Sequence, residues 1–132
     1  MSDPNAAALP AEIDSLVLTT SHDMARAYAE LTADFNPIHL DPEFAAGTPF
    51  GHPIAHGTMA LNLLLEAVRR TFGGNRPAAT FAIRFVKPVP IGETVRTIGR
   101  LSDAALGIYD VAVETEAGIR TLEGTLTVGP TS

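Results

Sequence analysis

The sequence predicts an α+β fold in which a curved antiparallel sheet wraps a long central helix. Two observations carry this. Residues 57–70 are apolar on nearly every side at helical spacing, and the chain after them alternates apolar and polar residues with period two. A helix apolar all round is buried on most sides, and a small domain can bury it by folding a sheet about it.

Taken in order, Leu16 to Thr20 reads as a short strand. Ser21 is placed to cap a helix in which Met24, Ala27, Tyr28 and Leu31 recur at helical spacing. Pro37 forces the residue before it out of helical geometry, so that helix is expected to end around Phe35 or Asn36. Asp41-Pro42-Glu43 signals a second, short helix ending near Gly47, because Asp caps and Pro suits a first turn. Two prolines and a glycine between Thr48 and His56 predict an irregular, partly extended loop. The central helix then runs from Gly57 to about Arg70. Its Met59, Ala60, Leu61, Leu63, Leu64, Leu65, Ala67 and Val68 point to a core element, and Gly73-Gly74 is expected to terminate it. It is too short, and too soon followed by charge, to span a membrane.

The strands follow. Phe81, Ile83 and Phe85 alternate with Thr80, Ala82 and Arg84, and Pro88 and Pro90 end the pattern. Thr94 to Leu101 sets Arg96 and Arg100 on one face. Tyr109, Val111 and Val113 alternate with Asp110, Ala112 and Glu114, and Leu122, Leu126 and Val128 with Thr121, Glu123 and Thr125. Such strands belong to an antiparallel sheet with one wet face. Ala117-Gly118 fits a tight hairpin turn, with glycine accepting positive φ.

At 132 residues the chain is expected to form one domain, spanning residues 11–132 behind a disordered tail of residues 1–10. Hydrophobic residues at 45% suffice for an ordinary core and argue against disorder. A net charge of −6 argues against nucleic acid as a partner, though a few local cations still suffice for a phosphorylated ligand. The absence of cysteine excludes a disulfide framework, a thiol nucleophile and thiolate metal ligation, so a cytoplasmic setting is the default. The opening residues lack the basic and apolar regions of a secretory signal.

The candidate site lies at Asp34-Phe-Asn36-Pro37-Ile-His39. A carboxylate and an imidazole flank a rigid bend, so both can be aimed at one point, as general acid–base addition or removal of water requires. Asn36 either shapes the turn or braces the loop and orients the pair. Asp34, His39 and Asp41 are also metal-ligand types, but no second well-spaced histidine accompanies them, and no metal is expected. His22 and His52 read as exposed and loop residues. His56 reads as satisfying local backbone groups, with a contact to ligand as its other reading. Gly57 either packs tightly against the sheet or leaves the N–H groups of a helix N-terminus open to a ligand oxygen. Ser21, Ser102 and Ser132 have no motif around them, so no covalent nucleophile is evident.

Asp34-x-Asn36-Pro37-x-His39, followed by Phe50-Gly-His-Pro53-Ile-Ala-His56-Gly57, resembles the MaoC-like, R-specific enoyl-CoA hydratases (hydratase 2). Phe85-x-Lys87-Pro88-Val89-x-x-Gly92-Glu93 is similar to that family's strand and turn before the next hairpin. The resemblance covers about Ala25 to Val128 and implies a hotdog fold, a homodimer or higher homo-oligomer, and a homo-oligomeric boundary near the site. It implies reversible hydration of trans-2-enoyl-CoA to (R)-3-hydroxyacyl-CoA in fatty-acid or related acyl-CoA metabolism, on a CoA or acyl-carrier-protein thioester. Asp34 and His39 would be catalytic, and Asn36, His56 and Gly57 would bind substrate, with the Gly57 N–H in an oxyanion hole. No cofactor is expected beyond the thioester substrate itself. A hotdog acyl-CoA thioesterase and a non-catalytic subunit of a hetero-oligomeric dehydratase are the alternatives.

Overall fold

Five strands form one antiparallel sheet in the order β1-β3-β4-β5-β2. The computed structural model describes residues 9–73 and 78–129. The strands are β1 (Val17–Thr19), β2 (Ala79–Phe85), β3 (Thr94–Asp103), β4 (Ile108–Thr115) and β5 (Arg120–Val128). Four helices precede β2: α1 (His22–Thr32), α2 (Pro37–Leu40), α3 (Pro42–Ala46) and α4 (Gly57–Phe72).

The inner face of the sheet meets α4. Leu64 of the helix and Tyr109, Val113, Leu122 and Leu126 of the strands have no exposed surface. Each such side chain contributes roughly 1.5–3 kcal/mol through burial. The outer face is polar, as alternation predicts: Arg96 pairs with Glu114 across β3 and β4, and Arg84 with Glu123 across β2 and β5. The β4–β5 hairpin turns at Gly118, whose φ is 80°. Gly124 lies opposite Ile83, where a Cβ would run into the Ala82 carbonyl oxygen, so only glycine lets β2 and β5 close.

The helices differ from expectation in four respects. First, α1 ends at Thr32, short of Phe35, because Ala33 adopts left-handed geometry (φ 57°) and both its N–H and that of Asp34 turn back to the Ala29 carbonyl. The proline still excludes helix at Asn36, but the chain has left the helix before meeting it. Second, α1 buries Ala25 and Ala29, whereas Leu31 is 82% exposed. The small residues bring the helix close, and the buried stripe is rotated from the one its larger apolar residues mark out. Third, α2 is an additional single turn, capped by the Asn36 side chain accepting from the Ile38 N–H. Fourth, α4 runs on to Phe72 and leaves a stripe exposed through Thr58, Asn62, Leu65 and Arg69.

Asp41 caps α3 by accepting from the Glu43 and Phe44 N–H groups, and Gly47 ends it. Gly73 closes α4 at φ 68°; Gly74 lies outside the described residues. Of the expected tail, residues 1–8 also lie outside them. Leu9 packs against the core, and the Pro10 carbonyl accepts a 2.6 Å hydrogen bond from Tyr109. Gly99 makes room for that N-terminal run, since a Cβ there would collide with Ile13. Among the described residues, no helix is long and apolar enough to cross a membrane.

Candidate active site

The chain between α1 and α4 folds over the N-terminal end of α4 and brings three predicted residues together. Asp34 leaves α1 through the left-handed Ala33, and its Oδ1 accepts from the Asn36 N–H at 3.3 Å. Asn36 then caps α2, which carries His39. Asn36 therefore shapes the turn and also holds the Asp34 carboxylate through its backbone.

His39 is oriented by a single strong contact. Its Nδ1 lies 2.7 Å from the Ile54 carbonyl oxygen. A carbonyl can only accept, so Nδ1 carries the proton, and the neutral ring has its lone pair on Nε2. That Nε2 faces the Asp34 Oδ2 at 3.9 Å. The separation is too long for a hydrogen bond but allows both groups to hold one water. The Ile54 carbonyl is itself fixed: the Ile54 N–H donates to Ile38, and the Ala55 N–H to Val89 at 2.7 Å.

His56 is 3% exposed and stacks on His39, with ring centroids 4.0 Å apart. Its Nε2 donates to the Asp34 carbonyl at 3.0 Å, a backbone partner but not the local one expected. The contact reaches across 22 residues and so ties the loop bearing Asp34 to the start of α4. Its Nδ1 is buried and has no hydrogen-bond partner. Asp34, His39 and His56 each offer a ligand-type atom within 4.8 Å of the others. Sequence spacing missed this trio, because His56 is distant in the chain and Asp41, the third residue considered for metal, is occupied in capping α3. His56 Nε2 is engaged by the Asp34 carbonyl, which leaves Nδ1 as its unpartnered nitrogen.

A further set of contacts was not expected. Tyr28 packs beside His56 at 4.9 Å, and its hydroxyl lies 2.6 Å from the Thr58 Oγ1 while accepting from the Asn62 side chain at 2.9 Å. The sequence shows Tyr28 only as part of an apolar stripe. Its hydroxyl, like any buried-end tyrosine polar tip, was the available signal.

Beside His39 and His56 lies a cavity of about 310 Å³. Its walls are mainly apolar, including Ile54, Ala60, Phe85 and Val89, with Lys87 and Thr121 adding polar groups. Gly57, the first residue of α4, also lines it. The helix begins without a side-chain cap, and Gly57 is exposed. A Cβ at Gly57 would make only ordinary contact with the Phe85 ring, at 3.6 Å. Tight packing against the sheet therefore does not account for the glycine.

A helix held in a curved antiparallel sheet, with Asp34 and His39 overhanging the helix N-terminus and a largely apolar cavity beneath, defines a hotdog domain. The chain matches the MaoC-like domain model over residues 5–121 and belongs to that family. It is 37% identical over 99 residues to the 3-hydroxyacyl-thioester dehydratase Z of Mycobacterium tuberculosis, covering 71% of this chain and 63% of that one. It is 38% identical over 99 residues to the peroxisomal multifunctional enzyme type 2 of Drosophila melanogaster, covering 74% of this chain but only 16% of that much longer protein. The chain thus spans less than two thirds of either relative. Among solved structures, the (R)-hydratase from A. caviae involved in PHA biosynthesis superposes with a TM-score of 0.78 at 25% identity, covering 97% of this chain and all of that one.

Proposed function

We propose that the protein is an R-specific 2-enoyl-thioester hydratase, adding water to a trans-2-enoyl-CoA to give the (R)-3-hydroxyacyl-CoA and catalysing the reverse dehydration. The observation that carries this is the fixed lone pair of His39, 3.9 Å from the Asp34 carboxylate and beside the N-terminus of α4, so that one water can bond to both. Relatives named as a 3-hydroxyacyl-thioester dehydratase and an (R)-hydratase support the same chemistry.

In this reading one water bridges His39 Nε2 and Asp34. Its oxygen forms the new bond to Cβ while His39 Nε2 accepts its proton, and Cα receives a proton on the same face from the Asp34–His39 pair. Negative charge developing on the thioester oxygen is stabilised by the Gly57 N–H and the dipole of α4, a contribution of about 3 kcal/mol for one such donor. Asn36 and His56 hold the pair in position through the Asp34 carboxylate and carbonyl. The reaction requires no separate cofactor, since water and the thioester contain every atom that moves.

The test is loss of enoyl-thioester absorbance by the purified chain across a series of acyl lengths, with the stereochemistry of the product assigned. An (R)-3-hydroxyacyl product is expected. Release of free thiol without loss of the double bond would overturn the reading in favour of thioester hydrolysis.

A further inference from the structure

The chain contains a single lysine, Lys87, and it lines the cavity that also holds His39 and Gly57. Its surroundings are unusual for this molecule. Arg69 and Arg70 pair with Glu66, Arg84 and Arg120 with Glu123, Arg96 with Glu114, and Arg100 with Glu12. Among the described residues, Lys87 and Arg26 are in no ion pair and both are exposed, and of the two only Lys87 lines the cavity.

The backbone beneath Lys87 is fixed on both sides. The Val86 and Lys87 N–H groups donate to the Thr121 carbonyl at 2.8 and 3.3 Å. Two residues on, the Val89 carbonyl accepts from Ala55, whose neighbour Ile54 holds His39. Pro88 and Pro90 stiffen the strap between these anchors. The ammonium is thus carried on a segment rigidly linked to the acid–base pair. The chain carries a net charge of −6, so an unneutralised cation beside the cavity offsets the overall repulsion that a polyanionic substrate meets.

We propose that Lys87 binds a phosphate of the CoA arm while the acyl thioester occupies the cavity, making it a specificity residue for the carrier and not for the acyl chain. This rests on the thioester reading above. A solvent-exposed lysine–phosphate contact acts as a point charge and should be screened by salt.

The experiment compares wild type with Lys87→Ala, Lys87→Glu and Lys87→Arg on one enoyl chain carried by CoA, by 4′-phosphopantetheine and by N-acetylcysteamine, which has no phosphate. Lys87→Ala should raise KM for the CoA thioester about tenfold, equivalent to about 1.4 kcal/mol, with little change in kcat. Lys87→Glu should raise it further, and Lys87→Arg should restore most of it. The preference for CoA over N-acetylcysteamine should collapse by the same factor, and the salt dependence of KM should weaken. Persistence of the effect on 4′-phosphopantetheine assigns the phosphate shared by CoA and carrier proteins, and its loss there assigns the adenosine phosphates. Equal losses on all three thioesters, or no loss on CoA, would overturn the proposal. Calorimetric titration with free CoA separates the two readings: Lys87-dependent binding by a chain that hydrates nothing retains the lysine and rejects the hydratase, whereas affinity indifferent to Lys87 rejects the lysine alone.

Discussion

At His39 one hydrogen bond fixes the tautomer. Because the Ile54 carbonyl holds the Nδ1 proton, Nε2 is the proton acceptor in the neutral ring, and at His56 the order is reversed, with the Asp34 carbonyl holding the Nε2 proton. Nitrogen-15 spectra of the imidazoles should show the Nδ1–H tautomer at His39 and the Nε2–H tautomer at His56; the same tautomer at both would refute the orientation. Asp34→Asn and His39→Ala should each lower turnover by at least about a hundredfold, the scale of lost acid–base catalysis, with circular dichroism unchanged. Hydration at a near-normal rate by a folded His39→Ala protein would remove His39 from the mechanism. At this scale the sequence was informative where covalent geometry dictates the answer. Pro37 places Asp34 and His39 about a bend whatever surrounds them. The buried position of His56 against Asp34, and the contact of Tyr28 with both Thr58 and Asn62, join distant segments, and no local pattern encodes them.

Among the elements, α4 was the most legible, since sixteen residues of mixed apolar faces admit little else. The early end of α1 was not, because alanine at left-handed φ has no sequence signature. Within α4, Glu66 accepts from Arg69 and Arg70, which hold its carboxyl down at about 2, Arg69 contributing most. A depressed carboxylate stabilises the fold above its unfolded value and loses that contribution as pH falls toward 2. Carbon-13 titration of the side chain should therefore show Glu66 still ionised at pH 3, and an ordinary midpoint near 4.5 would contradict the pairing. At the other end of α4, Gly57→Val tests the oxyanion role. A Cβ there makes only ordinary contact with the Phe85 ring, so the melting temperature should fall modestly, while turnover should fall about a hundredfold as the oxygen is displaced from the helix N-terminus. Normal hydration with a much lower melting temperature would make Gly57 a packing residue.

For the molecule as a whole, the open stripe of α4 and the free edge of β2 point beyond a single chain. β2 pairs with β5 along one side for seven residues, Ala79 to Phe85, and its other edge is unpaired among the described residues. Unpaired edges of this length are a liability that assembly commonly covers. Phe85, 56% exposed at the end of that strand, adjoins the cavity, and Leu65 on α4 is 38% exposed. We propose a homodimer in which β2 meets its symmetry mate, with the candidate site near the boundary. A two-fold arrangement satisfies both copies of one edge at once. Light scattering at micromolar concentration should give twice the 13.9 kDa chain mass or a multiple of it. Replacing Ala82 by proline should leave most of the sheet intact, since β3, β4 and β5 pair independently of β2, but should disrupt association and turnover together. A stable 13.9 kDa monomer that hydrates enoyl thioesters at full rate would show that one chain completes the site alone.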